Sequence, residues 1–251
     1  MKLAESSQQS PAVLVIAATD SSGGAGLTRD VRVLTDFAID ALCVVTAVTA
    51  QSDRRVAAVH DVPPEIIRAQ IAAAFATRAI NAIKVGMLGT AATVEAVIEG
   101  LSAARVESET RLVIDPVLVS TSGGLLLDDA GRAALLKGLF PLAALVTPNV
   151  PEAAALLGEA TATDEANLIS EAPLIDEATL MDEATLIDEA TLTDQGRRLL
   201  RFGAGAILLK GGHATGENAV DLLIRAGDYT VDRISSPRVS GSSRGTGCAL
   251  A

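Results

Sequence analysis

Short apolar runs alternate with longer amphipathic stretches along almost the whole chain. The runs Ala12 to Ala18, Ala41 to Thr49, Ala82 to Leu88, Arg111 to Val119, Ala143 to Thr147 and Ala206 to Lys210 have the length and the Val, Ile and Leu content of buried strands. Between them, Gly26 to Ile39, Pro64 to Arg78, Ala91 to Ala104, Asp128 to Leu142, Pro151 to Leu157 and Gln195 to Gly203 carry apolar residues at three-and-four spacing, the period of a helix with one covered face. This alternation predicts a mainly parallel sheet covered by helices, with ligands at the carboxyl ends of its strands. Val220 to Ile224 and Tyr229 to Ile234, joined through Gly227-Asp228, predict an added β-hairpin.

One stretch breaks the pattern. From Asp164 to Thr193 runs a five-copy hexapeptide repeat, best preserved as DEATLM, DEATLI and DEATLT from Asp176, Asp182 and Asp188. A step of six residues turns a helix by about 600°, so the repeated leucines would scatter over several faces instead of forming one stripe. The segment is therefore expected to be a solvated insertion at about 164–193 in one domain spanning 1–251, dispensable for folding. It also changes the meaning of the charge. The net charge is −11, but ten of the 31 acidic residues lie between Asp164 and Asp194, leaving 21 against 20 basic residues elsewhere. The body is near neutral and carries no electrostatic footprint for nucleic acid or an anionic membrane. With 49% hydrophobic but only 2% aromatic residues, aliphatic side chains must fill the core. The two cysteines, Cys43 and Cys248, and the polar start of the chain fit a cytoplasmic protein without a disulfide framework.

Four motifs carry candidate chemistry. Gly245-Thr246-Gly247-Cys248 is either a plain turn with a buried cysteine or a glycine turn whose N–H groups wrap an anion at a helix start, where a thiol pKa falls. Thr19 to Gly26 is a glycine cluster after the first strand, either a flexible turn or a loop that lets backbone approach a ligand. It is neither a Walker A loop nor a dinucleotide fingerprint. Asn149 and Glu152 flank Pro151 at a helix start, as a cap or as a partly hydrated Mg²⁺ site. Lys210-Gly211-Gly212-His213 ends a strand, where a lysine meets phosphate or solvent.

In order, TDSSGGAGLTRD, TAVTAQ, KVGML, DPVLVSTSG, TPNVPEA, KGGH and GTGC resemble the hydroxymethylpyrimidine/phosphomethylpyrimidine kinase family, over about Val13 to Ala251 apart from the repeat. The resemblance implies a ribokinase-like three-layer α/β/α fold and ATP- and Mg-dependent phosphorylation of hydroxymethylpyrimidine, then of its monophosphate, in thiamine biosynthesis. It implies that Gln51 reads the pyrimidine edge, and that Ala18, Asp30, Thr49, Met87 and Val117 line the substrate pocket. Asn149 and Glu152 would serve the Mg²⁺–phosphate shell, Lys210 the nucleotide phosphates, and Asp115 the transfer site. Gly245, Thr246 and Gly247 would form the anion hole, with Cys248 as general base. Departures are Arg244 before GTGC, Ser52-Asp53 after TAQ and Ala18 before TD, and the helix that follows GTGC in the family is expected to be absent. The alternatives are a pyridoxal/pyridoxine kinase and a truncated, non-catalytic pyrimidine-binding relative. The expected partner is a small-molecule pyrimidine, with neither nucleic acid nor membrane, and with homo-oligomerisation left open.

Overall fold

A computed structural model describes residues 10–52, 55–106, 109–118, 126–159, 189–211 and 217–238. Its centre is β1 (Ala12–Ala17), an unbroken apolar run covered along nearly its whole length, as a strand with helices on both faces must be. β1 pairs in parallel with β2 (Asp40–Val45) on one side and β5 (Ala82–Val85) on the other. Parallel pairing continues through β6 (Arg111–Ile114), β7 (Leu145–Val146) and β8 (Ala206–Leu209). β9 (Asn218–Arg225) and β10 (Val231–Pro237) add the expected antiparallel hairpin, giving the order β10-β9-β8-β7-β6-β5-β1-β2. The connecting turn places Gly227 at φ 97° and Tyr229 at φ 55°.

The strand order positions a candidate ligand site. From β1 the chain steps to one neighbour, β2, and then returns to the other side at β5, so adjacent connections part at the carboxyl ends of β1 and β5. Such a switch point opens a crevice at the top of a parallel sheet. Right-handed crossovers put α1 (Gly26–Asp36) on one face and α2 (Pro64–Thr77), α3 (Ala91–Ala103), α4 (Asp129–Ala134), α5 (Val150–Leu157) and α6 (Glu189–Leu200) on the other. The result is the three-layer fold expected. Its core is a continuous aliphatic cluster with Phe140, whose ring meets Phe202 edge-on at 6.3 Å. Among the described residues, no helix is long and apolar enough to cross a membrane.

Three expectations are corrected. The run Ala41 to Thr49 is two strands. Thr46 is pinned by its N–H to Ala17 (3.1 Å), by its carbonyl from Val62 N (2.9 Å) and by Oγ1 donating to the Met87 carbonyl (2.7 Å). Beyond this knot the chain leaves the main sheet as β3 (Ala47–Gln51), which pairs with an unforeseen β4 (Val56–Asp61) in a two-stranded ribbon. Asp128 to Leu142 is not one regular helix: α4 gives way to a wide turn at Leu135–Leu139 and a tight one at Phe140–Leu142, which contains Pro141. Finally, α6 starts at Glu189, not Gln195, so the last repeat copy forms its first turns and Leu192 packs on the core. Residues 164–188 of the repeat lie outside the described residues.

Candidate active site

The loop after β1 is shaped by Asp20. Its Oδ1 accepts from Ser22 N (2.9 Å) and Ser22 Oγ (2.8 Å), and its Oδ2 from Ala25 N (2.9 Å). Gly26 then starts α1 at φ 56°, where a Cβ would lie 2.6 Å from the Ala18 carbonyl oxygen, so glycine is required. The same carbonyl accepts from Leu27 N (3.0 Å), which draws α1 against the end of β1.

The ribbon is stitched to this loop. Thr49 N binds Thr19 Oγ1 (3.2 Å), Thr49 Oγ1 donates to the Thr19 carbonyl (2.7 Å), and Ser21 Oγ donates to the Gln51 carbonyl (2.7 Å) while accepting from Gln51 N (2.8 Å). Thr49 and Gln51 point to one face of β3, and the Thr49 hydroxyl lies 3.3 Å from Gln51 Oε1. Ala18, Asp30 and Thr49 are buried, whereas Gln51, Met87 and Val117 are half-buried. Ala18 and Met87 follow β1 and β5, Thr49 and Gln51 lie on β3, Asp30 lies on α1, and Val117 follows β6 two residues beyond Asp115.

Asp30 faces Lys84 of β5, with Oδ2 2.8 Å from Nζ and both side chains buried. Burial pushes the Asp30 carboxyl above its ordinary range, Lys84 draws it back down, and the field of Asp115 adds to the rise. Lys84 was not assigned a role from sequence, although a charge within the buried strand Ala82–Val85 is itself a signal. Asp20 was likewise passed over, inside a motif otherwise noted.

A second buried pair lies one to three strands from β5. Lys210 Nζ is 2.8 Å from Asp115 Oδ1, at the ends of β8 and β6, and Thr147 Oγ1 approaches the same oxygen at 3.4 Å. Beside it, α5 opens with a capping box: Asn149 Oδ1 accepts from Glu152 N and Glu152 Oε2 from Asn149 N, both at 2.8 Å. The cap and the candidate ligand site are thus the same two residues. Burial pushes the Glu152 carboxyl up to about 7; Lys210 and the Asn149 N–H lower it, and Asp115 raises it. Gly211 follows Lys210 closely enough to Val220 that a Cβ would sit 1.9 Å from its carbonyl oxygen.

This donor set fits a hydrated divalent cation. Glu152 and Asp115 outnumber Lys210, and the capping box leaves Glu152 Oε1 outside its two hydrogen bonds. Among the described residues no group of three or more His, Cys, Asp or Glu side chains forms a metal cage. A cation here would take much of its shell from water and phosphate, as Mg²⁺ does. The candidate anion hole Gly245, Thr246 and Gly247, with Cys248, lies outside the described residues, as do Gly212 and His213.

Comparison with known proteins now adds to this geometry. The family profile described as Phosphomethylpyrimidine kinase matches residues 20–175 and 167–251. The chain belongs to the phosphomethylpyrimidine kinase family. The two matched stretches meet within the hexapeptide repeat. A family relative, the hydroxymethylpyrimidine/phosphomethylpyrimidine kinase of Rhizobium meliloti, is 38% identical over 238 residues, covering 94% of this chain and 78% of that protein. The crystal structure of phosphomethylpyrimidine kinase from Clostridium difficile 630 superposes with a TM-score of 0.69 at 32% identity, covering 88% of this chain and 83% of the other. An ADP complex of Bacillus subtilis pyridoxal kinase gives a TM-score of 0.76 at 25% identity, covering 96% and 81%. The fold is therefore shared with a phosphomethylpyrimidine kinase and a pyridoxal kinase, and the family assignment rests on the profile and the Rhizobium relative.

Proposed function

We propose that this chain transfers the γ-phosphoryl group of ATP to 4-amino-5-hydroxymethyl-2-methylpyrimidine and then to the monophosphate so formed, in thiamine biosynthesis. The observation that carries this reading is the pair of buried Lys–Asp units on one mainly parallel sheet, Lys84 within β5 reaching Asp30 of α1 and Lys210 at the end of β8 reaching Asp115, in a chain of this family.

On the side of β1, α1 and the ribbon, Gln51 offers an amide donor and acceptor to the aminopyrimidine edge. Thr49 and Asp30 face the same pocket, Ala18 lends its backbone, and Met87 and Val117 form apolar walls. On the side of β6 to β8, Lys210 meets the nucleotide phosphates, and Asn149 and Glu152 serve the Mg²⁺–phosphate shell through water. Bound Mg²⁺ would neutralise phosphate charge. Asp115, paired with Lys210, borders the transfer site.

In the first step the hydroxymethyl oxygen forms a bond to the γ-phosphorus while the bond to the bridging oxygen of ADP breaks. The hydroxyl proton passes to the Cys248 thiolate, and the backbone N–H groups of Gly245, Thr246 and Gly247 offset charge on the moving group. In the second step a phosphate oxygen of the monophosphate is the nucleophile, so the demand on Cys248 falls. The whole chain would act as one kinase domain interrupted by its repeat.

The test is ATP consumption by the purified chain with hydroxymethylpyrimidine, with its monophosphate and with pyridoxal in parallel. Turnover of both pyrimidines with little of pyridoxal supports the reading. Preference for pyridoxal would transfer the chain to the vitamin B6 kinases, and binding of pyrimidine without turnover would make it a non-catalytic relative.

A further inference from the structure

Lys84 stands in the middle of β5, where its neighbours Ile83 and Val85 are fully buried, and its own side chain is only 8% exposed. Its Nζ reaches up the strand: a Cβ built on Gly86 would lie 3.5 Å from it and 3.2 Å from the Ala17 Cβ. The ammonium group is thus held beneath the point where β1 and β5 release the chain toward Ala18 and Met87. There it binds Asp30 Oδ2 at 2.8 Å, while the other oxygen, Oδ1, is buried and has no hydrogen-bond partner among the described residues. A buried carboxylate oxygen without a donor is costly and calls for one. Amino and hydroxyl groups of the substrate proposed above are donors.

We propose that Lys84 is a positioning residue for capture of the pyrimidine, fixing the buried Asp30 carboxylate in place and as an acceptor without itself touching the substrate. This rests on the reading of Asp30 as a pocket residue. The groups facing Asp30 set the consequence of losing the lysine. Asp115, after β6, repels its negative charge, and the Cys43 thiol, on β2, is pushed up by partial burial and, less, by the Asp30 carboxylate. Burial and Asp115 both favour the protonated acid, and Lys84 opposes them. Without Lys84 the acid form gains, and Asp30 then carries a proton where the ligand needs an acceptor.

The experiment compares Lys84→Met, Asp30→Asn and the double variant with the wild-type chain. Binding of hydroxymethylpyrimidine is followed by calorimetry, and KM for pyrimidine and for ATP by turnover, from about pH 6 to about pH 9. Lys84→Met is expected to weaken pyrimidine binding by about 10–100-fold at neutral pH, to leave KM for ATP within about threefold, and to recover part of the loss as pH rises and Asp30 ionises. The double variant should bind no more weakly than Asp30→Asn alone. A loss that is independent of pH and adds to that of Asp30→Asn would overturn the proposal, because it would mean that Lys84 only supports packing. Normal pyrimidine binding by a folded Asp30→Asn would instead remove the pocket reading, and the proposal with it. Should Lys84→Met fail to fold, carbon NMR of the wild-type Asp30 carboxyl decides. It should be ionised at neutral pH and shift on pyrimidine addition, and a protonated Asp30 would overturn the proposal.

Discussion

The two halves of the crevice are built around the same unit, a buried lysine 2.8 Å from a buried aspartate, and they differ in what surrounds it. On the β1 and β5 side the pair sits under a mesh of short hydrogen bonds that locks loop, ribbon and α1 together. Its charges are matched one to one. On the β6 to β8 side the pair has a third member, Glu152, whose carboxyl burial pushes up to about 7, with a smaller rise from Asp115 and a partial offset from Lys210. The first half, with one lysine on one aspartate beside Thr49 and Gln51, suits a neutral heterocycle that is read by hydrogen bonds. The second lacks positive charge and suits a nucleotide that arrives with a cation. Paired charges mark both halves, and the extra buried carboxyl of Glu152 makes the β6 to β8 half the candidate for a cation-bearing ligand.

The largest expected effect breaks the second pair. Lys210→Met strands Asp115 and Glu152 without their lysine and should cost about 3–5 kcal/mol in urea unfolding, whereas Asp115→Asn combined with it should recover much of that loss.

Next comes the unmatched carboxyl. Folding raises Glu152 from an ordinary 4.5 to about 7, so between those values the folded chain holds a proton that the unfolded chain has released. The contribution of Glu152 to the stability of the metal-free protein should therefore be fully present below the lower value and be lost as pH rises through the upper one, by roughly 3 kcal/mol in total. Glu152→Gln keeps the capping geometry, since glutamine also closes a capping box, and should flatten that pH dependence in thermal unfolding. An unchanged slope would dissolve the contrast between the halves.

On the first half the expected effects are smaller and geometric. Gly26→Ala forces a Cβ onto the Ala18 carbonyl at a left-handed φ and should lower stability by about 1–3 kcal/mol, with a parallel loss of pyrimidine affinity. Ser21→Ala removes both bonds to the Gln51 backbone at an exposed position. It should cost about 1 kcal/mol or less and show itself as faster amide exchange in β3.

The sheet was legible in the sequence because a parallel strand must be apolar on both faces, and β1, β5, β6 and β8 announce themselves as short aliphatic runs. The ribbon was not. Ala41 to Thr49 reads as one uninterrupted apolar strand, and only long-range bonds at Thr46 to Ala17, Val62 and Met87 divide it. β4 has every position exposed or half-buried, and its residues VAAVHD lack the alternation that marks a half-buried strand. The start of α6 was hidden because a six-residue repeat dilutes the helical period, although Leu192, Leu199 and Leu200 together fall on one helical face. At the site, motif order singled out Gln51, Asp115, Asn149 and Lys210 near strand ends and Asp30 and Glu152 near helix starts, while their pairing depended on tertiary contacts. Lys84 was visible as a charge inside an apolar strand, yet its partner is 54 residues away and no local pattern names it.

The most direct test of this division of labour is a parallel calorimetric titration of Gln51→Ala with hydroxymethylpyrimidine and with ATP in the presence of Mg²⁺. Gln51 belongs wholly to the first half, so pyrimidine affinity should fall by about 1–3 kcal/mol as the ring edge loses its amide, with nucleotide affinity unchanged. Equal losses for the two ligands would contradict the account, because Gln51 would then be holding the fold rather than reading the pyrimidine.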